Sequence, residues 1–128
     1  MDLFQPQTSN FKPQTYMSEL NYSIITIKVG LNEEGLPEDI QWKATGSGME
    51  NVNYSKAFLL SMWDRKENTT FRVDLWTKDM LVDEMKQFFY ETLVTMSDTY
   101  QRATNDAEVA AEMKKFSELF GKKSGVLK

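Results

Sequence analysis

Apolar and polar residues alternate with a period of two through much of the first 77 residues. Segments 25–31, 40–45 and 71–76 each alternate, which is the pattern of a half-buried strand. The segment 55–64 is apolar on both parities, as expected for a central strand or a strand buried on both faces. Because short loops join these four segments, we predict one antiparallel four-stranded meander sheet over about residues 21–77.

The hydrophobic period changes from two to 3.6 at Asp79. The apolar residues that follow recur three or four positions apart, which predicts a helix over about residues 80–104 with Asp79 as its N-cap. Asn105 and Glu108 fit a capping box and predict a second helix over about 106–120, which Gly121 ends. We therefore predict an α+β fold, in which the four-stranded meander sheet is followed by two C-terminal helices packed on one face.

The middle of the first helical stripe is predicted to form the core. Its members are large and apolar and sit three or four positions apart: Phe88, Phe89, Leu93 and Met96. We expect them to meet the apolar parity of the first and fourth predicted strands, which carries Ile25, Ile27, Val73 and Leu75.

The chain is predicted to contain one domain with short segments at either end. Residues 1–16 have no period and contain Pro6 and Pro13, so they are predicted as a flexible leader. The alternative is an arm whose apolar residues cover an exposed face: Leu3, Phe4, Phe11 and Tyr16. Residues 17–121 are predicted as a single α+β domain and residues 122–128 as a basic C-terminal tail.

Composition restricts the chemistry of the chain. Its 128 residues include no cysteine and no histidine, which excludes disulfides, thiolate metal sites and the commonest general base. The net charge of −4 argues against non-specific nucleic-acid binding, which needs a basic surface. We predict a protein that is not an enzyme, with no catalytic residues, no metal ligands and no cofactor.

The sequence also bears on location. No segment approaches the roughly 20 apolar residues that a membrane-spanning helix needs, so no membrane insertion is predicted. The start of the chain does not show a basic region followed by an apolar one, as a secretory signal would. We therefore expect the protein in the cytoplasm.

A candidate interaction face lies on the third and fourth predicted strands. Trp76 falls on the parity opposite Phe71, Val73 and Leu75, together with Arg72 and Asp74. Tryptophan is enriched at interface hot spots, so we take as the candidate face Trp63, Trp76, Arg72, Asp74 and Asp64. The charged members are interpreted as a rim of cross-strand ion pairs. The parity of Trp63 is ambiguous, and the alternative is that each tryptophan is partly buried at a sheet edge.

The predicted strands carry more apolar residues than the two helices can cover, which predicts a partner. Two helices cover one face of a sheet, whereas the segment 55–64 is apolar on both parities. An uncovered apolar face of this size is unusual in a monomer. We expect it to be covered by a second copy in a symmetric homodimer, by a different protein, or by residues 1–16.

Several blocks of sequence resemble the gliding-motility-associated protein GldC family of Bacteroidetes. The most specific is the run DLWTKDM at 74–80, followed by VDEMK at 82–86. Two more blocks agree, LSMWD at 60–64 and TLVTMSDTY at 92–100, the latter followed by RAT at 102–104. The resemblance covers about residues 17–120.

The resemblance implies a small non-enzymatic accessory protein of bacterial gliding motility that acts through protein–protein interaction. Its partner would then be a component of the gliding machinery. The predicted order of four strands and two helices also resembles the preprotein chaperone SecB, which gives the alternative of a cytoplasmic protein-binding module of the export-chaperone kind. That second likeness is one of fold order alone.

Overall fold

The computed structural model describes residues 19–128, which form five strands followed by two helices. The elements are β1 (Ile25–Leu31), β2 (Pro37–Ala44), β3 (Met49–Ser55), β4 (Ala57–Trp63), β5 (Thr70–Trp76), α1 (Val82–Thr104) and α2 (Ala107–Ser124). The α+β class and the order of strands before helices are confirmed. The described residues divide between Met80 and Leu81 into two compact units, one of strands and one of helices. Residues 1–16, predicted as a leader or arm, lie outside the described part of the chain.

The first three strands form an antiparallel sheet in the order β1-β2-β3. Its register pairs the apolar parity of β1 with that of β2, as in Ile27↔Trp42 and Val29↔Ile40. Ile40 is 2% exposed because it lies on the central strand, between Val29 and Ser55. The predicted alternation therefore describes the inner face of this sheet correctly.

The prediction of a single four-stranded sheet is wrong, because β4 and β5 form a second, two-stranded antiparallel sheet. The additional strand is β3, whose sequence MENVNYS is too polar to stand out by alternation. A turn containing Gly46 and Gly48, both with positive φ, leads from β2 into it. Those φ values suit glycine, which has no Cβ to clash.

Lys56 separates β3 from β4. Its carbonyl accepts a hydrogen bond from the backbone N–H of Thr77 at 2.8 Å, and Thr77 is only 3% exposed. The Thr77 hydroxyl lies 2.5 Å from Oδ1 of Asp79. The carboxylate of Asp79 is thus engaged by the end of β5, so the prediction that Asp79 caps the helix is wrong.

Helix α1 begins after Leu81, and a glutamate satisfies the first orphan donor. The backbone N–H of Leu81 donates to Oε1 of Glu84 at 2.9 Å, which is the reciprocal half of a capping box. Asp83 and Glu84 also place negative charge in the first turn, where the helix dipole favours it.

The junction between the helices is displaced by one residue from its predicted position. Asn105 ends α1 in the left-handed conformation, with φ 59°, and does not cap α2. Asp106 is the N-cap of α2, and its Oδ1 accepts from the N–H of Val109 at 3.1 Å. Asparagine tolerates the left-handed region better than most residues, which explains its use at the end of a helix.

Helix α2 continues past its predicted end. Gly121 lies inside the helix, whereas Gly125 (φ 87°) forms the C-cap. An added Cβ at Gly121 would lie 2.7 Å from Cδ1 of Leu127 and 2.8 Å from Cε1 of Tyr90. The glycine is therefore used for close packing, and Leu127 folds back to donate its N–H to the Gly121 carbonyl at 2.9 Å.

The most buried positions of the helical unit carry small residues: Ser97, Ala110, Ser117 and Gly121. Small side chains allow two helices to approach closely. The core prediction is wrong for Phe89 and Met96, which are 40% and 49% exposed, while Phe88 and Leu93 are half-buried. Tyr90, which lies against Gly121, and the buried Ser97 are seven positions apart and share one side of α1. Phe89 and Met96 each come one position before these residues, so their side chains point about 100° away around the helix.

Candidate interaction face

The register of β4 and β5 collects the candidate residues on one side of the hairpin. Trp63 pairs with Thr70, and Trp76 pairs with Ala57. Between them, Ser61 pairs with Arg72 and Leu59 with Asp74. Because side chains alternate across a strand, Trp63, Arg72, Asp74 and Trp76 all project from the same face, which resolves the parity of Trp63. We name these four residues the tryptophan face.

The two indole rings are the most prominent feature of the tryptophan face. Trp63 is 69% exposed and Trp76 is 57% exposed. They stand near opposite ends of the hairpin, one beside the β4–β5 turn and the other beside Lys56. Each ring therefore presents a large, rigid apolar surface.

A polar group holds the centre of the tryptophan face. The Arg72 guanidinium places Nη2 2.9 Å from Oδ1 of Asp74 and Nε 3.4 Å from Oδ2, and its Nη1 donates to the hydroxyl of Ser61. This fork fixes the direction of the guanidinium. Both charged side chains are partly exposed, so the pair contributes little to stability and acts as an oriented polar patch.

Among the described residues, Asp64 does not form the cross-strand ion pair that was predicted for it. Its Oδ2 accepts hydrogen bonds from the backbone N–H groups of Lys66 and Glu67, at 3.0 and 2.7 Å. Asn68, in the left-handed region with φ 51°, donates its N–H to the Asp64 carbonyl at 3.0 Å. Asp64 therefore closes the turn between β4 and β5, whereas the ion pair of the rim joins Arg72 to Asp74 within one strand.

The opposite face of the same hairpin is apolar throughout. The register places six residues there: Phe58, Leu60, Met62, Phe71, Val73 and Leu75. Met62 is 58% exposed and Phe71 is 55% exposed. A two-stranded hairpin is marginal by itself in water, and this face leaves Met62 and Phe71 more than half exposed.

Sequence reasoning missed a basic depression on the three-stranded sheet. It is shallow, with a volume of about 60 Å³, and is lined by Thr26, Lys28, Gln41, Trp42, Lys43 and Val52. The register explains the convergence, since Thr26↔Lys43 and Lys28↔Gln41 are neighbouring pairs. The signal in the sequence was a lysine on the polar parity of each of two consecutive predicted strands.

Surface hydrogen bonds shift the pKa of two carboxylates in the unit of strands. A hydrogen bond from Thr77 lowers the pKa of Asp79, and one from Asn32, aided by Lys78, lowers the pKa of Glu38. In residues 19–128, no three acidic side chains are grouped so as to hold a metal ion. Neither helix of the described part is long and apolar enough to span a bilayer.

Comparison with known proteins identifies the family of the chain. No curated protein and no solved structure matches the chain. A family model described as "Gliding motility-associated protein GldC-like" matches residues 37–126, which include β2 to β5 and both helices. That span is most of the chain and contains every residue of the tryptophan face. The chain belongs to the GldC-like family of gliding motility-associated proteins.

Proposed function

We propose that the protein is a non-enzymatic accessory component of bacterial gliding motility, and that it acts by binding another protein through the tryptophan face. The observation that carries the proposal is the exposure of Trp63 and Trp76 on either side of the Arg72–Asp74 pair. Tryptophan and arginine are the residue types that most often dominate protein interfaces. The family supports the setting, a motility machinery.

The proposal includes an occupant for the apolar side of the hairpin. A second copy of the chain, related by two-fold symmetry, would cover Met62 and Phe71 and leave the tryptophan face open to a gliding component. A homodimer and a heterologous partner are then compatible, because they use opposite faces of β4 and β5. A cytoplasmic location, a source within Bacteroidetes and a single domain spanning residues 17–121 complete the proposal.

Site-specific photocrosslinking in gliding cells tests it. A photoreactive amino acid replaces Trp63 or Trp76 in one pair of strains and Tyr22 in a control strain. Tyr22 is 81% exposed but does not belong to either sheet, so it matches the tryptophans in accessibility alone. We expect the tryptophan positions to crosslink to a second protein species, and the Tyr22 position not to do so.

Two results would contradict the proposal. Equal crosslinking from all three positions would mean that exposure alone governs contact. Adducts of twice the chain's mass, and no others, from Trp63 and Trp76 would place the second copy on the tryptophan face. A parallel photocrosslinker at Phe71 should give that double-mass adduct if the apolar side is the dimer interface.

A further inference from the structure

The outer edge of β1 is an unpaired strand edge within the described chain. Among residues 19–128, β1 pairs with β2 alone, so its other edge offers backbone N–H and C=O groups to a further strand. Such edges are templates for strand addition by an extended peptide. This edge is also where the basic depression begins, because Thr26 and Lys28 line it.

Charge distinguishes this edge from the rest of the sheet. Residues 1–64 hold four lysines, no arginine and eight acidic residues, yet Lys28 and Lys43 converge on one depression. Its lining contains no carboxylate, and the carboxylate of Asp39 on the same face is already engaged by Nε2 of Gln41 at 2.6 Å. In the described residues, neither lysine is engaged in a salt bridge. A ligand with carboxylates would therefore find two exposed ammonium groups on the polar face of the sheet.

The opposite face of β1 is apolar, so a strand that binds at this edge would need apolar side chains on that side. Ile25, Ile27 and Val29 project there, and Ile25 is 53% exposed. A strand added beside β1 alternates its own side chains between the two faces. It would therefore need acidic residues at one parity, facing Lys28 and Lys43, and apolar residues at the other, facing Ile25 and Ile27.

The same charges disfavour two other occupants of the β1 edge, a second copy of the chain and the start of the chain itself. β1 spans Ile25–Leu31, so Lys28 is its middle residue. Two-fold antiparallel pairing of β1 with a second copy at full overlap would place Lys28 directly opposite the same lysine, and like charges there are destabilising. Residues 1–18 contain Asp2 as their only carboxylate side chain, so the start of the chain does not complement the depression.

We infer that the β1 edge binds an extended segment of another protein in which acidic and apolar residues alternate, by strand addition with carboxylates paired to Lys28 and Lys43. The inference deepens the proposed function, since it gives the chemistry of a second partner site. It is separate from the tryptophan face, which lies on β4 and β5.

Fluorescence anisotropy on the purified full chain tests the inference. The probe is a labelled peptide that alternates glutamate and valine over about eight residues, a usual strand length. We expect saturable binding that weakens as salt is added. A peptide that alternates lysine and valine should not bind. The glutamate peptide with every second amide methylated should lose at least about tenfold in affinity, since it cannot donate to a strand edge.

Charge-reversed variants locate the site. Lys28→Glu with Lys43→Glu should weaken binding at least about tenfold, whereas Lys28→Arg with Lys43→Arg should retain it. Lys66→Glu with Lys86→Glu is the control, because it changes the net charge equally at exposed lysines elsewhere. Circular dichroism of each variant would exclude a folding defect as the cause.

Several outcomes would overturn the inference. These are no binding to the wild-type chain, equal loss in the control variant, or unchanged affinity for the methylated peptide. Self-association that strengthens in Lys28→Ala, measured by sedimentation, would assign the edge to a second copy instead. The variant with Trp63→Ser and Trp76→Ser should bind the peptide normally, because the tryptophan face is a separate site. Failure of the peptide to bind the β1 edge would therefore not affect the crosslinking test of the tryptophan face.

Discussion

Lys114 on α2 pairs with Asp98 on α1, with Nζ and Oδ1 2.8 Å apart. The hydrogen bond from Lys114, together with the positive charges of Lys114 and Arg102, lowers the pKa of Asp98. Both partners are about half exposed, so the contact is a surface pair between two helices. It makes the stability of the helical unit depend on pH.

The direction of that dependence follows from the lowered pKa. The folded-state pKa of Asp98 is below its unfolded value, so the pair stabilises the fold above the unfolded pKa of about 3.9 and is lost as pH falls through the folded pKa. Asp98→Asn should therefore lower Tm at pH 7 and make a smaller difference below about pH 4. A Tm difference that stays constant from pH 7 to strong acid would contradict this account of the pair.

Gly121 should not tolerate a methyl group. Glycine to alanine inside a helix usually stabilises by about 0.5–1 kcal/mol, but a Cβ here would meet Leu127 and Tyr90 at under 3 Å. We expect Gly121→Ala to destabilise by about 1–3 kcal/mol, the usual cost of overpacking. Urea denaturation measures it, with exposed Lys123→Ala as a control that should shift stability by under about 0.5 kcal/mol. A stabilised Gly121→Ala chain would show that the fold-back of Leu127 is loose.

Asp106 should stabilise the helix junction through two hydrogen bonds. Its Oδ1 accepts from the N–H of Val109, and its Oδ2 from the Tyr100 hydroxyl, each at 3.1 Å. Asp106→Ala loses both and should cost about 1–2 kcal/mol, whereas Tyr100→Phe loses one and should cost about 1 kcal/mol. The neighbouring Asn105→Gly serves as a control that should change little, because glycine adopts the same left-handed conformation readily. Thermal melts that rank Asn105→Gly below Asp106→Ala in stability would reverse the assignment of the caps.

The bounds of the strands and helices show what could and could not be predicted from the sequence. The period-two and 3.6 patterns located both helices and most strands, because one-sided burial imposes them directly. The strand Met49–Ser55 was missed because its partner β2 holds it in the sheet despite a polar sequence. The helix caps were missed because Asp79 is engaged by Thr77 and Asn105 adopts a left-handed conformation. Neither the hydrogen bond nor the backbone conformation can be read from the residue type alone.

The candidate site was predicted in composition but not in geometry. The parity rule placed Trp76 with Arg72 and Asp74 correctly, yet it left Trp63 ambiguous until the register with Thr70 was known. Asp64 could not be assigned, since a carboxylate at a turn and one in a rim look alike in sequence. Lys28 and Lys43 lie 15 positions apart, and pairing of the strands is what joins them.

The export-chaperone alternative makes a different prediction. A chaperone of that kind suppresses the aggregation of an unfolded client at stoichiometric amounts. The proposed function expects no such suppression, because the tryptophan face is built around one oriented Arg72–Asp74 pair rather than a continuous apolar groove. Light scattering of a heated client, with and without the chain, would favour the alternative if the signal fell in proportion to added protein.

The role of the tryptophan face in motility is tested by the gliding speed of cells whose chromosomal copy carries Trp63→Ser with Trp76→Ser. A matched strain carries Leu20→Ser with Tyr22→Ser, which removes two similarly exposed apolar residues that belong to neither sheet. Immunoblots would establish equal protein levels in both strains. We predict that the tryptophan variant glides as poorly as a deletion strain while the matched variant glides normally. Normal gliding of the tryptophan variant would contradict the claim that this face carries the function.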